Sequence, residues 1–523
     1  MDVGSVVGTP GDGVWLAAAI AIMTMVCSPI FAQGADYWGR KWFLIIPTFL
    51  GCIGAIITAL SSTMNTAILG QVIAGISYGA QPLNHAIPSE VLPRKYRPYA
   101  QAVVNVAACI GGFLALIAGG ALTRNGHPEG FRPFWYIGAA IYGVSGVIGI
   151  FCYNPPLRAL QTSLTQNEKL RLLDWPGYFL LIVGLVLTCV GLSWAENPYT
   201  WSDPHVLSTF TIGIVFCALL ITYEWKFTKT GMFHHSLFKL GPNFAIALGT
   251  VFVEGMLFFC TNNYFAYQVS TMYETDRLII TTRYSLTFIL FALFAITAGA
   301  YCSYFKIVRL PTSAAFLSFL IFFILMATSS PTTSGQVWGY PAFLGFGLGV
   351  CLCTLVTAAQ LCTPPELISL ASGLMIGVRS FGGSIGLAIY NAVFATTISR
   401  ELVPRMEKAV VPLGIAASEI PKLIPALTRH NAKAVAAIPG MTHEIARVAE
   451  RVFKDAHMVA FRWVWVAAGS FAFVALVASL FLQDPKREFN GKIDAPVERE
   501  EELYGRTRAR EREELHVARV SSA

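Results

Sequence analysis

Charged side chains are the scarcest thing in this chain. Asp, Glu, Lys and Arg make up 13% of 523 residues, about half the roughly 25% of soluble domains, while 55% of residues are hydrophobic. So little charge cannot cover the surface of a soluble protein of this size, which leaves a helical, multi-pass membrane protein. Metal-ligand spacing is absent too. The 11 cysteines, from Cys27 to Cys362, fall in or beside apolar runs, and Cys351 and Cys353 point to different faces of a helix. They read as small buried hydrophobes, with no metal and no cofactor expected. No His/Asp or Cys/His pair has catalytic spacing, so no catalytic residue is expected and the enzyme class falls away. No Asn-x-Ser/Thr triplet occurs, so N-glycosylation is not expected. Residues 1–13 carry no basic region and the run after them no cleavage site, so no cleaved leader is expected. The net charge of +7 sits largely in loops and tail, as a positive-inside bias requires, and nucleic acid is not an expected partner.

What is present is apolar, in blocks. Thirteen runs read as spans: 14–32, 42–61, 66–87, 99–122, 133–153, 175–195, 206–225, 243–268, 284–305, 310–330, 338–361, 370–396 and 460–482. Each approaches 20 residues, enough to cross a ~30 Å hydrocarbon layer. Lys and Arg concentrate in alternate loops, which places the 33–41 loop and the C-terminus in the cytoplasm and residue 1 outside. The expected organisation is a short segment 1–13, an N-terminal bundle 14–154, a linker 155–242 carrying two extra spans, a C-terminal bundle 243–482 and a charged cytoplasmic tail 483–523, which lacks a core and is expected to be mobile or a solvated helix. Within the second bundle, 398–459 is a long outer loop. Its Pro404, Pro412, Pro421, Pro425 and Pro439 are expected to break it. Ile445, Val448, Ala449, Val452 and Phe453 have the spacing of an amphipathic helix lying on the membrane.

The loop between the first two spans reads Gln33-Gly-Ala-Asp-Tyr-Trp-Gly-Arg-Lys41. Gly34 and Gly39 supply a turn, Asp36 is placed to cap the incoming helix, and Arg40 and Lys41 hold the loop inside. At Asp36, Gly39, Arg40 and Lys41 the chain resembles the signature loop of the major facilitator superfamily, with Ala32 and Gly34 departing from it. The resemblance implies that this loop braces the inward-closed state. Residues 70–97 and 358–386, with Asp174, 192–194 and 438–441, look like the fungal trichothecene efflux pump and siderophore transporter group. It covers roughly 14–498. It implies an all-α major facilitator fold of two bundles plus a central extra helix pair, in a monomer of the plasma membrane working by alternating access. The implied task is proton-coupled efflux of a small, largely apolar organic molecule. Siderophore–iron import and a non-transporting receptor or degenerate transporter are the alternatives. Members with fourteen helices have both ends inside, so a first helix ahead of 14–32 is expected to be missing. Gln71 stands where many antiporters carry Arg, and Ala115 and Leu116 replace a Gly-Pro pair, although Gly111, Gly119 and Gly120 match.

Two ionisable residues lie deep in spans, Glu254 at about 16 Å and Arg379 at about 14 Å from the nearer end. Exposed to lipid, either would cost several kcal/mol, so both are expected to face the interior. Glu254 is a candidate proton carrier, set against a neutral hydrogen-bonded carboxyl. Arg379 suits packing or gating. Gln71, Gln81, Asn84, His85, Asn262, Asn263, Tyr267 and Gln360 complete the candidate path for substrate and protons, set for the tyrosine against an interfacial belt. Gly75, Gly79, Gly111, Gly119, Gly120, Gly373, Gly377, Gly382 and Gly386 are expected to let helices approach closely.

Overall fold

The computed structural model describes residues 6–7, 13–124, 128–156, 159–195, 199–228, 231–239, 241–428 and 432–494. The apolar runs are helices, as they must be where no water can satisfy a peptide group. In order they are α1 Val14–Trp38, α2 Arg40–Leu60, α3 Met64–Tyr78, α4 Gln81–Val91, α5 Arg97–Leu122, α6 Phe131–Cys152, α7 Trp175–Trp194 and α8 Pro204–Lys226. Then follow α9 Asn243–Met272, α10 Arg277–Phe305, α11 Arg309–Ala327, α12 Pro341–Leu361, α13 Ile368–Val410 and α14 His443–Ser479.

Among the described residues 12 helices are long and apolar enough to cross a membrane. The expected span 66–87 is not one of them, because it is broken into α3 and α4. The break falls where Gly79 presses on Cys27 of α1 and Pro82 opens the next helix. The pair still crosses as a unit: α3 packs on α1 and α2, and α4 on α5 and α13.

α1–α6 form one bundle, with α2 between α3 and α6. α9–α14 form the other, in which α9 packs on α13 and α14, α12 on α10 and α11, and α11 on α14. α7 and α8 pair with each other, and α7 leans on α1. The bundles meet along α5–α10 and α1–α13. The densest core lies in the second bundle, where Phe265, Phe316, Phe319, Phe322 and Trp465 are fully buried. Lipid is as apolar as these rings, so their packing gains dispersion rather than hydrophobic transfer.

Three expectations about connections are corrected. The 33–41 segment is helical to Trp38, and the turn is made by Gly39 alone, at φ 94°. Only glycine holds that conformation without strain. Gly34 lies inside α1 against Phe43, and Asp36, one turn before Arg40, pairs with that guanidinium instead of capping α2. In the long outer loop the described residues between 411 and 442 form short segments, as expected, but Pro404 and Pro425 lie inside helices. α13 runs on through Pro404 to Val410, α14 starts at His443, and the two extensions enclose a core of their own with the short helix Ile420–Thr428. Ile445, Ala449 and Phe453 are buried in that core beside Leu402, Met406 and Leu423, so the apolar stripe faces protein rather than lipid. Residues 483–494 of the charged tail pack onto the body rather than standing in solvent (495–523, like most of 1–13, lie outside the described residues).

Candidate functional site

The turn at Gly39 sets Arg40 at the start of α2 with its side chain turned inward, 4% exposed. Its Nη2 donates to Asp36 Oδ1 at 3.0 Å, Glu90 Oε1 at 2.5 Å and Ser369 Oγ at 2.9 Å. Asp36 and Glu90 belong to the first bundle, and Ser369 opens α13 of the second. One guanidinium thus joins the bundles at this end of the molecule, the Arg40 end. Glu90 is 0% exposed, and burial is tolerable because the charge is matched and hydrogen-bonded. Lys41 ties α2 to the end of α6 through Ile150 O and Asn154 Oδ1.

A second layer lies deeper. Gln101 Nε2 donates to His85 O, Ser89 Oγ and, across the bundle boundary, Gln360 Oε1 at 3.2 Å. Gln360 Nε2 answers with bonds to His85 O and Ser372 Oγ, and Arg97 Nη1 donates to Gln360 O at 2.6 Å. Arg97, Gln101, His85 and Gln360 are all buried. Arg97, Gln101 and Asn105 follow one another at helical spacing on α5, a polar stripe absent from the expected path although its period is visible in the chain. Asn105 Nδ2, one turn beyond Gln101, is buried with no partner among the described residues.

The two deep ionisable residues meet. Arg379 Nε donates to Glu254 Oε2 at 2.5 Å and Nη2 to Oε1 at 3.0 Å, a bidentate pair between α13 and α9. Backbones touch on both sides of it: a Cβ on Gly255 would strike the Arg379 carbonyl, and one on Gly382 the Phe252 carbonyl. The Arg379 guanidinium rests on the Phe258 ring, 4.5 Å from its centre. Glu254 is 0% exposed, whereas the Arg379 side chain keeps 14%, so the pair is open on the arginine side only.

The other candidate residues divide. His85 and Gln360 lie in the second layer. Gln71 is buried within the first bundle, donating to Thr58 Oγ1, and does not enter the layers above. Gln81 is half-buried and Asn84 exposed, and neither enters the layers above. Asn262 accepts from Tyr284 OH, Asn263 turns back to Phe259 O, and Tyr267 packs tilted against Phe394 and edge-on against Phe461 at the opposite end of α9. Gly75 and Gly79 abut α1, Gly373 and Gly377 abut α1 from the second bundle, Gly120 abuts α10, and Gly382 and Gly386 abut α9. Gly119 is buried, and its carbonyl accepts from Thr123. Gly111 is the exception: a Cβ there would meet nothing within 4 Å, so it mediates no close approach.

Along most of its length the chain matches known proteins. A family model described as the fungal trichothecene efflux pump matches residues 12–511. An MFS-type transporter of Acremonium is 26% identical over 392 residues, 73% of this chain and 64% of that protein, so the chain spans just under two thirds of that relative. The trichothecene efflux pump of Fusarium sporotrichioides is 23% identical over 461 residues, covering 86% of this chain and 76% of the relative. A dehydrocurvularin exporter of Aspergillus terreus is 23% identical over 507 residues, 93% of this chain and 81% of the relative. Among solved structures, the human organic anion transporter MFSD10 aligns with 14% identity and a TM-score of 0.49, over 88% of this chain and 83% of that one.

Proposed function

This chain belongs to the fungal trichothecene efflux pump family, and from that membership we propose that it exports a small, largely apolar organic molecule across the plasma membrane by proton-coupled alternating access. The observation that carries the mechanism is the two-layered seal at the Arg40 end, built from hydrogen bonds and ion pairs between polar groups of both bundles. A permanent scaffold has no need to bury such exchangeable contacts between its halves. A transporter that opens there needs contacts that water can replace. The positive-inside bias makes the Arg40 end cytoplasmic, so the seal belongs to an inward-closed state. Named relatives are efflux pumps and exporters, which favours the outward direction.

Glu254 and Arg379 suit the coupling. A proton on Glu254 would neutralise it and loosen the hold of Arg379 on α9. Arg379 and Ser369 share α13, roughly 15 Å apart along its axis, so loosening one end of the helix bears on the Arg40 seal at the other. Half-buried Phe252, Phe258 and Phe259 near the pair give an apolar surface suited to such a substrate. A membrane potential adds about 2.3 kcal/mol per charge per 100 mV to each exchange.

The test is flux in proteoliposomes with an imposed pH gradient, using a radiolabelled trichothecene and a series of apolar dyes. Movement of at least one probe against its gradient, abolished by a protonophore, is the expected result. Accumulation of an iron–siderophore instead would reverse the assigned direction, and binding without flux under any gradient would reject transport.

A further inference from the structure

The chain does not leave the protein where its last membrane helix ends. α14 stops at Ser479, and residues 483–494 then cross the cytoplasmic face from the second bundle to the first. The grip on the second bundle is made first. Gln483 N donates to Asn243 Oδ1 at 2.8 Å while Asn243 Nδ2 returns a bond to Gln483 O at 2.7 Å. Asp484 Oδ1 accepts from Val308 N at 2.8 Å and Arg309 N at 3.0 Å, capping the start of α11. Phe489, 2% exposed, is buried among Val308, Ala358 and Leu361.

The grip on the first bundle comes next along the chain and is of a different kind. Arg94 N donates to Lys492 O at 2.9 Å and Lys95 N to Asn490 O at 3.0 Å, so the strap pairs with the loop between α4 and α5 by backbone. Arg94 then holds both oxygens of Asp494 and reaches Glu488 at 2.5 Å. Arg97, the residue that also donates to Gln360 O, contacts Asp494 as well. Asp494 is therefore the counter-ion of an arginine in the seal itself, and its side chain is 1% exposed.

We infer that residues 483–494 are a latch across the cytoplasmic gate, which must release one bundle each time that gate opens, and that the bundle released is the first. This rests on the alternating-access reading above. The reason for the asymmetry is mechanical and chemical. Residues 483–489 are joined directly to α14 and held by a helix cap and a buried ring, so they travel with the second bundle. The far end holds the first bundle through buried ion pairs and two backbone bonds, whose groups recover their hydration as the face opens and so offset the loss of the contacts. The latch thus weights the balance between the inward-closed and inward-open states, and Asp494 carries most of that weight because it neutralises two arginines.

The test uses the full chain with its native cysteines replaced and Ser89→Cys as reporter, Ser89 being fully buried between the layers of the seal. Aqueous maleimide is applied to the cytoplasmic face of inverted vesicles. Asp494→Asn is expected to raise the labelling rate severalfold. A disulfide between Lys95→Cys and Asn490→Cys, whose backbones are bonded, is expected to suppress labelling, with recovery on reduction. Unchanged labelling in Asp494→Asn, or labelling of the cross-linked protein at the free rate, overturns the latch. Labelling needs no flux, so it decides the latch by itself. Absence of flux in the reduced protein with an intact strap would count against the transport reading instead.

Discussion

Arg379 holds Glu254 through two nitrogens, at 2.5 and 3.0 Å, between the close backbone contacts that α13 and α9 make at Gly255 and Gly382. A buried pair of this kind is weak evidence of stability in itself, since desolvation offsets much of the attraction. Its weight in the fold shows when one partner changes.

Glu254→Gln is expected to destabilise the protein by about 3–5 kcal/mol, because Arg379 is left largely buried without its counter-charge. Changing both, Glu254→Gln with Arg379→Gln, is expected to recover most of that loss. Thermal unfolding of the purified variants reads the stability. If Glu254 carries the coupling proton, the double variant still exchanges substrate across liposomes but no longer responds to a pH gradient; a full response would remove Glu254 from that role.

Arg40 makes three bonds from one nitrogen. Asp36→Asn takes away one charged partner, worth about 1–2 kcal/mol, and leaves Glu90 and Ser369 engaged. Arg40→Lys replaces a planar fork by a point charge and cannot hold all three. Both variants are expected to reach the membrane normally, with flux lower in Arg40→Lys than in Asp36→Asn. Undiminished flux in both would reduce the segment to a simple turn.

Two glycines make an internal control. Gly382→Ala drives a methyl group into the Phe252 carbonyl, and α13 must separate from α9 to admit it. Gly111→Ala meets open space and removes an entropic penalty from a helix interior, a gain of roughly 0.5–1 kcal/mol. Opposite shifts in melting temperature are expected, and equal shifts would contradict the packing described.

Lys226, Lys422 and Lys492 are all exposed. In a cysteine-replaced background, Lys226→Cys and Lys492→Cys are expected to label from the cytoplasmic side and Lys422→Cys from outside. Labelling of Lys422→Cys from inside alone would invert the topology.

Membrane spans were legible because a bilayer leaves the backbone no alternative to helix, and Gly39 and Arg40 were legible because a two-span turn needs a glycine and an anchoring charge. Glu254 and Arg379 announced themselves by depth. Their mutual contact did not, since it links positions 125 apart on different helices. The break between α3 and α4 left a trace in Gly79, Gln81, Pro82, Asn84 and His85, but a count of residues across the run passes over it. Ile445 and Phe453 showed an apolar stripe correctly, but periodicity says only that a face is covered, and lipid and protein satisfy it equally. Asp494 was masked by its surroundings: in a tail rich in Glu and Arg, nothing marks the acid that will find a buried arginine.

Both helices that build the outer subdomain, α13 and α14, are also membrane helices of the second bundle. Past residue 396 α13 continues for about 20 Å, through Pro404, before it ends at Val410. The subdomain is therefore a lever arm welded to one half of the machine. If the second bundle tilts about a mid-membrane pivot, as the proposed alternating access requires, the motion is magnified at the tip of this subdomain. A fluorophore there would report the rocking at long range, and an antibody bridging that tip to the first bundle would work as an external brake.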